Sequence, residues 1–132
     1  MPPRERHAGG LWLVPLRVGV EVLVIVSLAV WGFAVGEAGA WRAILTVLAP
    51  AVGFGFWALV DFRWLGPRAE PARLVQELAV SGVAAAAAIG AGQTALGWTL
   101  AALTVLYHLL VYAAGQRLLH LPGPHRLAEP TR

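Results

Sequence analysis

The sequence predicts an all-α fold, a four-helix transmembrane bundle made of two parallel-repeat helical hairpins. Three observations carry that expectation. Of 132 residues, 58% are apolar and only 13% are charged, about half the charge of an ordinary soluble domain. Lipid rather than water is therefore the expected solvent. The apolar residues also gather into four runs of membrane-spanning length, and charge spacings in the first half recur in the second.

The first run covers about 11–35 and is interrupted only by Arg17, Glu21 and Ser27. Gly36 to Ala40 form a turn. The second run covers about 41–60, with Arg42 at its start and Pro50 near its middle. A polar connection passes from Asp61 through Arg63, Arg68 and Glu70 to Arg73. The third run covers about 74–90 and the fourth about 97–115. Each is about 17–25 residues, enough for a helix to cross some 30 Å of hydrocarbon. Lipid leaves no partner for an unpaired backbone amide, so the spans are helices. A β-barrel would need period-two alternation, which Ala84 to Ala88 lack. The third run is alanine-rich and should depend on packing against its neighbours. Residues 11–115 thus make one membrane domain between two short cytoplasmic tails, 1–10 and 116–132, of which Pro2 to Gly10 and Leu121 to Arg132 are Pro/Gly-rich and expected to be disordered. Arg117 to Leu121 would prolong the last helix along the interface until Pro122 stops it. Ala38-Gly39-Ala40 resembles a signal-cleavage site, but the run before it is too long and holds Glu21, so cleavage is not expected.

All ten basic residues are Arg, and there is no Lys, Asn or Cys. The bias suggests a GC-rich bacterial genome, and the missing Cys excludes disulfides and thiolate metal sites. With four spans, Arg4, Arg6, Arg17, Arg63, Arg68, Arg73, Arg117, Arg126 and Arg132 fall on one side and Arg42 alone on the other. The positive-inside rule then puts both termini and the central connection in the cytoplasm of a bacterial inner membrane. Trp12, Trp57 and Trp64 map to the inner interface, and Trp31, Trp41 and Trp98 to the outer one, as aromatic belts require. Topology and anionic lipid headgroups account for the basic charge. Nucleic acid is not expected as a partner; membrane lipids are, with a second copy or another membrane protein left open.

The halves resemble each other. Arg17-x-x-x-Glu21 recurs as Arg73-x-x-x-Glu77, Gly36 as Gly92, and Leu45-Thr46-Val47-Leu48 as Leu103-Thr104-Val105-Leu106. Duplication of a two-span unit would give parallel repeats about an axis along the membrane normal. Gly32-x-x-x-Gly36 and a stripe of Gly82, Ala86 and Gly90, broadened by Ser81 and Ala85, should let helices approach closely.

Polar residues within the spans are the candidate site. Glu21 and Glu77 each lie four residues beyond an Arg, so each pair shares a helix face. Arg before Glu is the weaker order, and Arg near a helix start opposes the macrodipole. Cross-pairing, Arg17 with Glu77 and Arg73 with Glu21, is therefore at least as reasonable. A lipid-facing charge would cost at least about 2.5 kcal/mol, so both glutamates should point inward. On the fourth span Thr104, His108, Tyr112 and Gln116 recur every four residues as a polar stripe. These eight residues are expected to form one cluster in the cytoplasmic half of the bundle. It would be either a buried clasp that fixes helix register or a site for a proton, cation or small polar ligand. His108 beside a carboxylate could serve a proton relay. Metal binding is not expected: His7, His120 and His125 lie in the tails, and no span carries paired-ligand spacing. No nucleophile with a base and no phosphate-binding loop is present, so neither enzymatic activity nor a cofactor is expected.

This pattern resembles the YrdB-like family of small bacterial membrane proteins, a domain of unknown function. The resemblance rests on Leu16-Arg17-x-x-x-Glu21, Trp31-Gly32-Phe33, Pro50 with Gly53-Phe54-Gly55-Phe56-Trp57, Pro67-Arg68-Ala69-Glu70-Pro71, and Arg73-Leu74-x-x-Glu77-Leu78. It covers roughly Leu13 to Tyr112 and implies four spans without bringing catalytic residues. Small multidrug-resistance transporters are similar in length and in a first-span Glu. Their weak charge bias, single such carboxylate and lack of a parallel repeat set them apart. A non-enzymatic structural or accessory membrane protein is the leading expectation; a proton- or cation-coupled transporter using Glu21, Glu77 and His108 is the alternative.

Overall fold

The computed structural model describes residues 12–116 and 118. Residues 1–11, 117 and 119–132, which include most of both tails and of the proposed interfacial extension after the last span, lie outside the described residues. Within them the chain forms α1 (Leu13–Val35), α2 (Gly39–Leu59), a 3-10 segment (Arg63–Arg68), α3 (Ala69–Gly90) and α4 (Thr94–Ala113), with no strand. At 1.5 Å per residue, helices of 23, 21, 22 and 20 residues are about 30–35 Å long. All four are long and apolar enough to cross a membrane.

Boundaries differ from the apolar runs where local chemistry overrides hydropathy. α3 begins at Ala69, five residues before the apolar run. Pro71 sits in its first turn, where a missing backbone N–H costs nothing. Gly66 (φ +58) breaks the preceding 3-10 segment and lets the chain turn into α3. α4 begins at Thr94 and stops at Ala113 rather than 115. It ends in a Schellman motif: Gly115 (φ +66) donates to the Tyr112 carbonyl at 3.0 Å and Gln116 to the Val111 carbonyl at 2.9 Å. α3 ends in the same way at Gly92 (φ +82), with Gln93 donating to the Ala88 carbonyl at 2.9 Å.

α1–α2 and α3–α4 are each packed hairpins, and α1 is the central helix, touching all three others. The core comprises Val20, Val24 and Leu28 of α1, Val80 and Ala84 of α3, and Leu100, Tyr107 and Val111 of α4. α2 contributes only Pro50 and Trp57 as buried residues and packs mainly on α1. The close approach is made at Gly32 and Gly36, where an added Cβ would meet the Leu45 carbonyl and the Arg42 backbone. Leu45 and Arg42 belong to α2, so this half of the small-residue expectation holds.

The α3 stripe is a correction. Gly82, Ala86 and Gly90 are exposed, and a Cβ at either glycine would meet nothing. The packed face is instead Ser81, Ala84, Ala85 and Ala88, and Gly97 of α4 closes on Ala85 and Ile89. Both sets have helical spacing; α4 selects the second because it also carries Glu77 inward.

Arg42, the lone basic residue at its end of the bundle among the described residues, has a local role. Its Nε donates to the Gly36 carbonyl at 3.1 Å and its Nη2 to the Glu37 carbonyl at 2.9 Å, just past the end of α1. The guanidinium also lies 4.7 Å from the Phe33 ring centre. Positive charge at a helix C-terminus is favourable. Arg42→Ala should cost about 1–2 kcal/mol, the scale of charged hydrogen bonds at a part-exposed turn. A lowered melting temperature in mild detergent would register it.

Candidate functional site

The starts of α1 and α3 and the ends of α2 and α4 meet at the arginine-rich end, and the polar cluster lies there. Glu77 is its centre. Eight residues past the start of α3, it sits about 12 Å along that helix and is 1% exposed. A carboxylate so enclosed is stable only when both oxygens have partners, and they do. Oε1 accepts from Arg73 Nε at 2.8 Å and faces Arg17 Nη2 at 3.7 Å. Oε2 lies 3.1 Å from His108 Nε2.

Each cation is itself anchored. Arg73 Nη1 donates to the Trp57 carbonyl at 2.7 Å and to Gln76 Oε1 at 3.0 Å. Gln76 Nε2 donates to the Phe56 carbonyl at 2.8 Å. Phe56 and Trp57 are in the last turn of α2, whose carbonyls lack intrahelical donors. Arg73 and Gln76 therefore cap α2 from α3, and an arginine unfavourable for its own helix start is favourable for its neighbour's end. Arg17 Nε donates to Glu21 Oε1 at 3.0 Å and Nη1 to the Tyr107 hydroxyl at 3.2 Å. Its guanidinium stands 6.0 Å from the centre of the buried Trp57 ring. The four helices are thus joined through Glu77 and its partners.

His108 shows which groups carry protons. Its Nδ1 is 2.8 Å from the Thr104 carbonyl, which can only accept, so Nδ1 carries hydrogen. Its Nε2 then faces a carboxyl oxygen. That contact is a hydrogen bond only if one further proton resides on Nε2 or on Glu77 Oε2. The Thr104 hydroxyl and the Trp57 indole N–H are fully buried and have no hydrogen-bond partner among the described residues.

Of the eight expected residues, Arg17, Arg73, Glu77 and His108 come together, and Thr104 meets them only through its backbone carbonyl. Both i, i+4 pairs form, and the Arg17–Glu77 cross-pair is added as a longer contact. Glu21 is peripheral: its side chain is 29% exposed, and it reaches the centre only through Arg17. Tyr112 and Gln116 are corrections. Tyr112 is 43% exposed and bonds Glu70 instead, and Gln116 lies beyond the end of α4. Four residues advance a helix by about 400°, so a stripe of step four drifts about 40° each time. From Thr104 to Gln116 that is a third of a turn, enough to leave the buried face.

Tyr107 and Gln76 were not in the expected set. Tyr107 precedes His108 and lies three residues beyond Thr104, so mixed three-and-four spacing would have included it. Gln76 adjoins Glu77 but partners α2 carbonyls, which no pattern within α3 discloses. Trp57, expected at the interface, is 4% exposed beneath Arg17, whereas the other five tryptophans are exposed.

Fold and site together define a small helical protein with four membrane-capable spans and a buried ionic cluster at one end. The chain belongs to the family described as "Protein of unknown function (DUF2568)", which matches residues 15–105. That stretch contains Arg17, Glu21, Arg73, Glu77 and Thr104 and stops short of Tyr107 and His108. No curated protein and no solved structure matches the chain.

Proposed function

We propose that this is a non-enzymatic multi-pass protein of a bacterial inner membrane, structural or accessory in role, with both termini cytoplasmic. The carrying observation is that both oxygens of buried Glu77 are engaged by groups from three helices while Arg73 and Gln76 secure the fourth. Such a network favours one helix register. The distribution of arginines supports the orientation, and the shared motifs support membership of the YrdB-like group and a duplicated hairpin. Gly36 (φ −69) and Gly92 (φ +82) differ in backbone conformation, so any duplication has diverged at its turns.

A second reading rests on the contact between His108 Nε2 and the buried Glu77 carboxyl, the kind of pair a proton-coupled carrier would need. Proteoliposomes containing the full chain and a pH-sensitive dye decide between the two. Under an imposed pH gradient and potential, the structural reading expects dye changes no faster than in empty vesicles. Flux abolished by His108→Ala would replace it with the transport reading.

A further inference from the structure

α2 and α3 pack together only lightly, and an open apolar groove runs between them on the outside of the bundle. Its deeper part, about 270 Å³, is floored by Leu28 and walled by Val52, Phe56 and Val83. It continues through Phe56 and Ala79 toward the arginine-rich end, where Arg68 and the 3-10 segment form its mouth. From Pro71 to Val83 the groove follows α3 for about 18 Å, close to the depth of one leaflet's hydrocarbon, about 15 Å.

The mouth is cationic. Arg68 and Arg63 are exposed, and neither guanidinium makes an ion pair among the described residues. The nearby acids are otherwise occupied: Asp61 accepts the Arg63 backbone N–H at 2.9 Å, and Glu70 accepts from Leu118 on the α4 side.

We infer that this groove is a binding site for an anionic glycerophospholipid of the leaflet at the arginine-rich end. One acyl chain lies along Phe56, Ala79 and Val83, and the phosphate is held by Arg68, with Arg63 of the same 3-10 segment adding positive charge. An apolar helix from a second copy would cover the walls but leave the Arg68 guanidinium without an anion; a phospholipid satisfies both ends of the groove. The inference needs only the membrane location and stands whether the buried cluster is a clasp or a proton site.

The test uses the full chain purified in mild detergent, stripped of lipid, and given phosphatidylglycerol or phosphatidylcholine with identical acyl chains. Native mass spectrometry should show retained phosphatidylglycerol in preference to phosphatidylcholine, with a higher melting temperature. Arg68 is expected to contribute about fivefold to that preference, the equivalent of roughly 1 kcal/mol per basic residue at an anionic surface. Arg68→Gln should lower the preference by that factor while leaving residual binding. Ala79→Phe, at an exposed position where a larger side chain fills the groove without entering the core, should abolish retention of both lipids. Equal retention of the two lipids, or binding unchanged by Ala79→Phe, overturns the proposal. So does disulfide cross-linking between copies carrying Val52→Cys and Val83→Cys that prior addition of phospholipid does not prevent.

Discussion

Glu77→Gln is expected to fail to accumulate or to melt far below the parent, with a loss of about 3–5 kcal/mol, the scale for breaking a buried ion pair from one side. The substitution keeps the shape and removes the charge. Arg73 and Arg17 then lie close together without the anion between them, and His108 loses its charged partner. Arg73 also holds the last turn of α2, so the effect should spread to a helix that supplies none of Glu77's polar partners. Glu21→Gln makes the comparison informative. Its carboxylate is part-exposed and meets only Arg17 among the described residues, which keeps Tyr107 and Glu77 as partners. A loss of about 0–1 kcal/mol is expected there. Yield and melting temperature in mild detergent measure both. Equal losses would mean that the cluster is balanced between its two glutamates and that Glu77 is not its centre.

Gly32→Ala is expected to cost about 1–3 kcal/mol, although alanine is the better helix former. The new Cβ would run into the Leu45 carbonyl, and backbone cannot rotate away as a side chain can. α1 and α2 would have to separate, and α2 has little other buried contact with the bundle. Gly82→Ala supplies the control, since the added methyl meets nothing. It should leave stability unchanged or raise it by up to about 1 kcal/mol through helix propensity. Thermal melts of the two variants side by side check the pair. If Gly32→Ala melts with the parent, the α1–α2 approach is looser than this structure has it.

The candidate site was legible in part. Arg17–Glu21 and Arg73–Glu77 follow from i, i+4 spacing because a helix brings those residues together whatever surrounds it. His108 stood out as the one histidine within a span. A step of four takes in Tyr112 and Gln116, which the 3.6-residue repeat carries off the buried face, and passes over Tyr107. Gln76 and the Phe56 and Trp57 carbonyls were beyond reach, since their bonds cross from α3 to the end of α2 and depend on where two helices stop side by side.

By itself the sequence determined how many helices are long and apolar enough to cross a membrane and which end of the bundle carries the charge. These depend on composition and linear order: apolar length sets what can cross a membrane, and arginine position sets the asymmetry. Only the tertiary structure decided which face of each helix turns inward. Glu77 is enclosed and Glu21 is not, although both follow an Arg by four residues; Ala84 and Ala88 pack while Gly82 and Gly90 do not. Helical periodicity offers each span several faces of similar composition. The choice among them is made where neighbouring backbones can close together and a buried charge can find all of its partners.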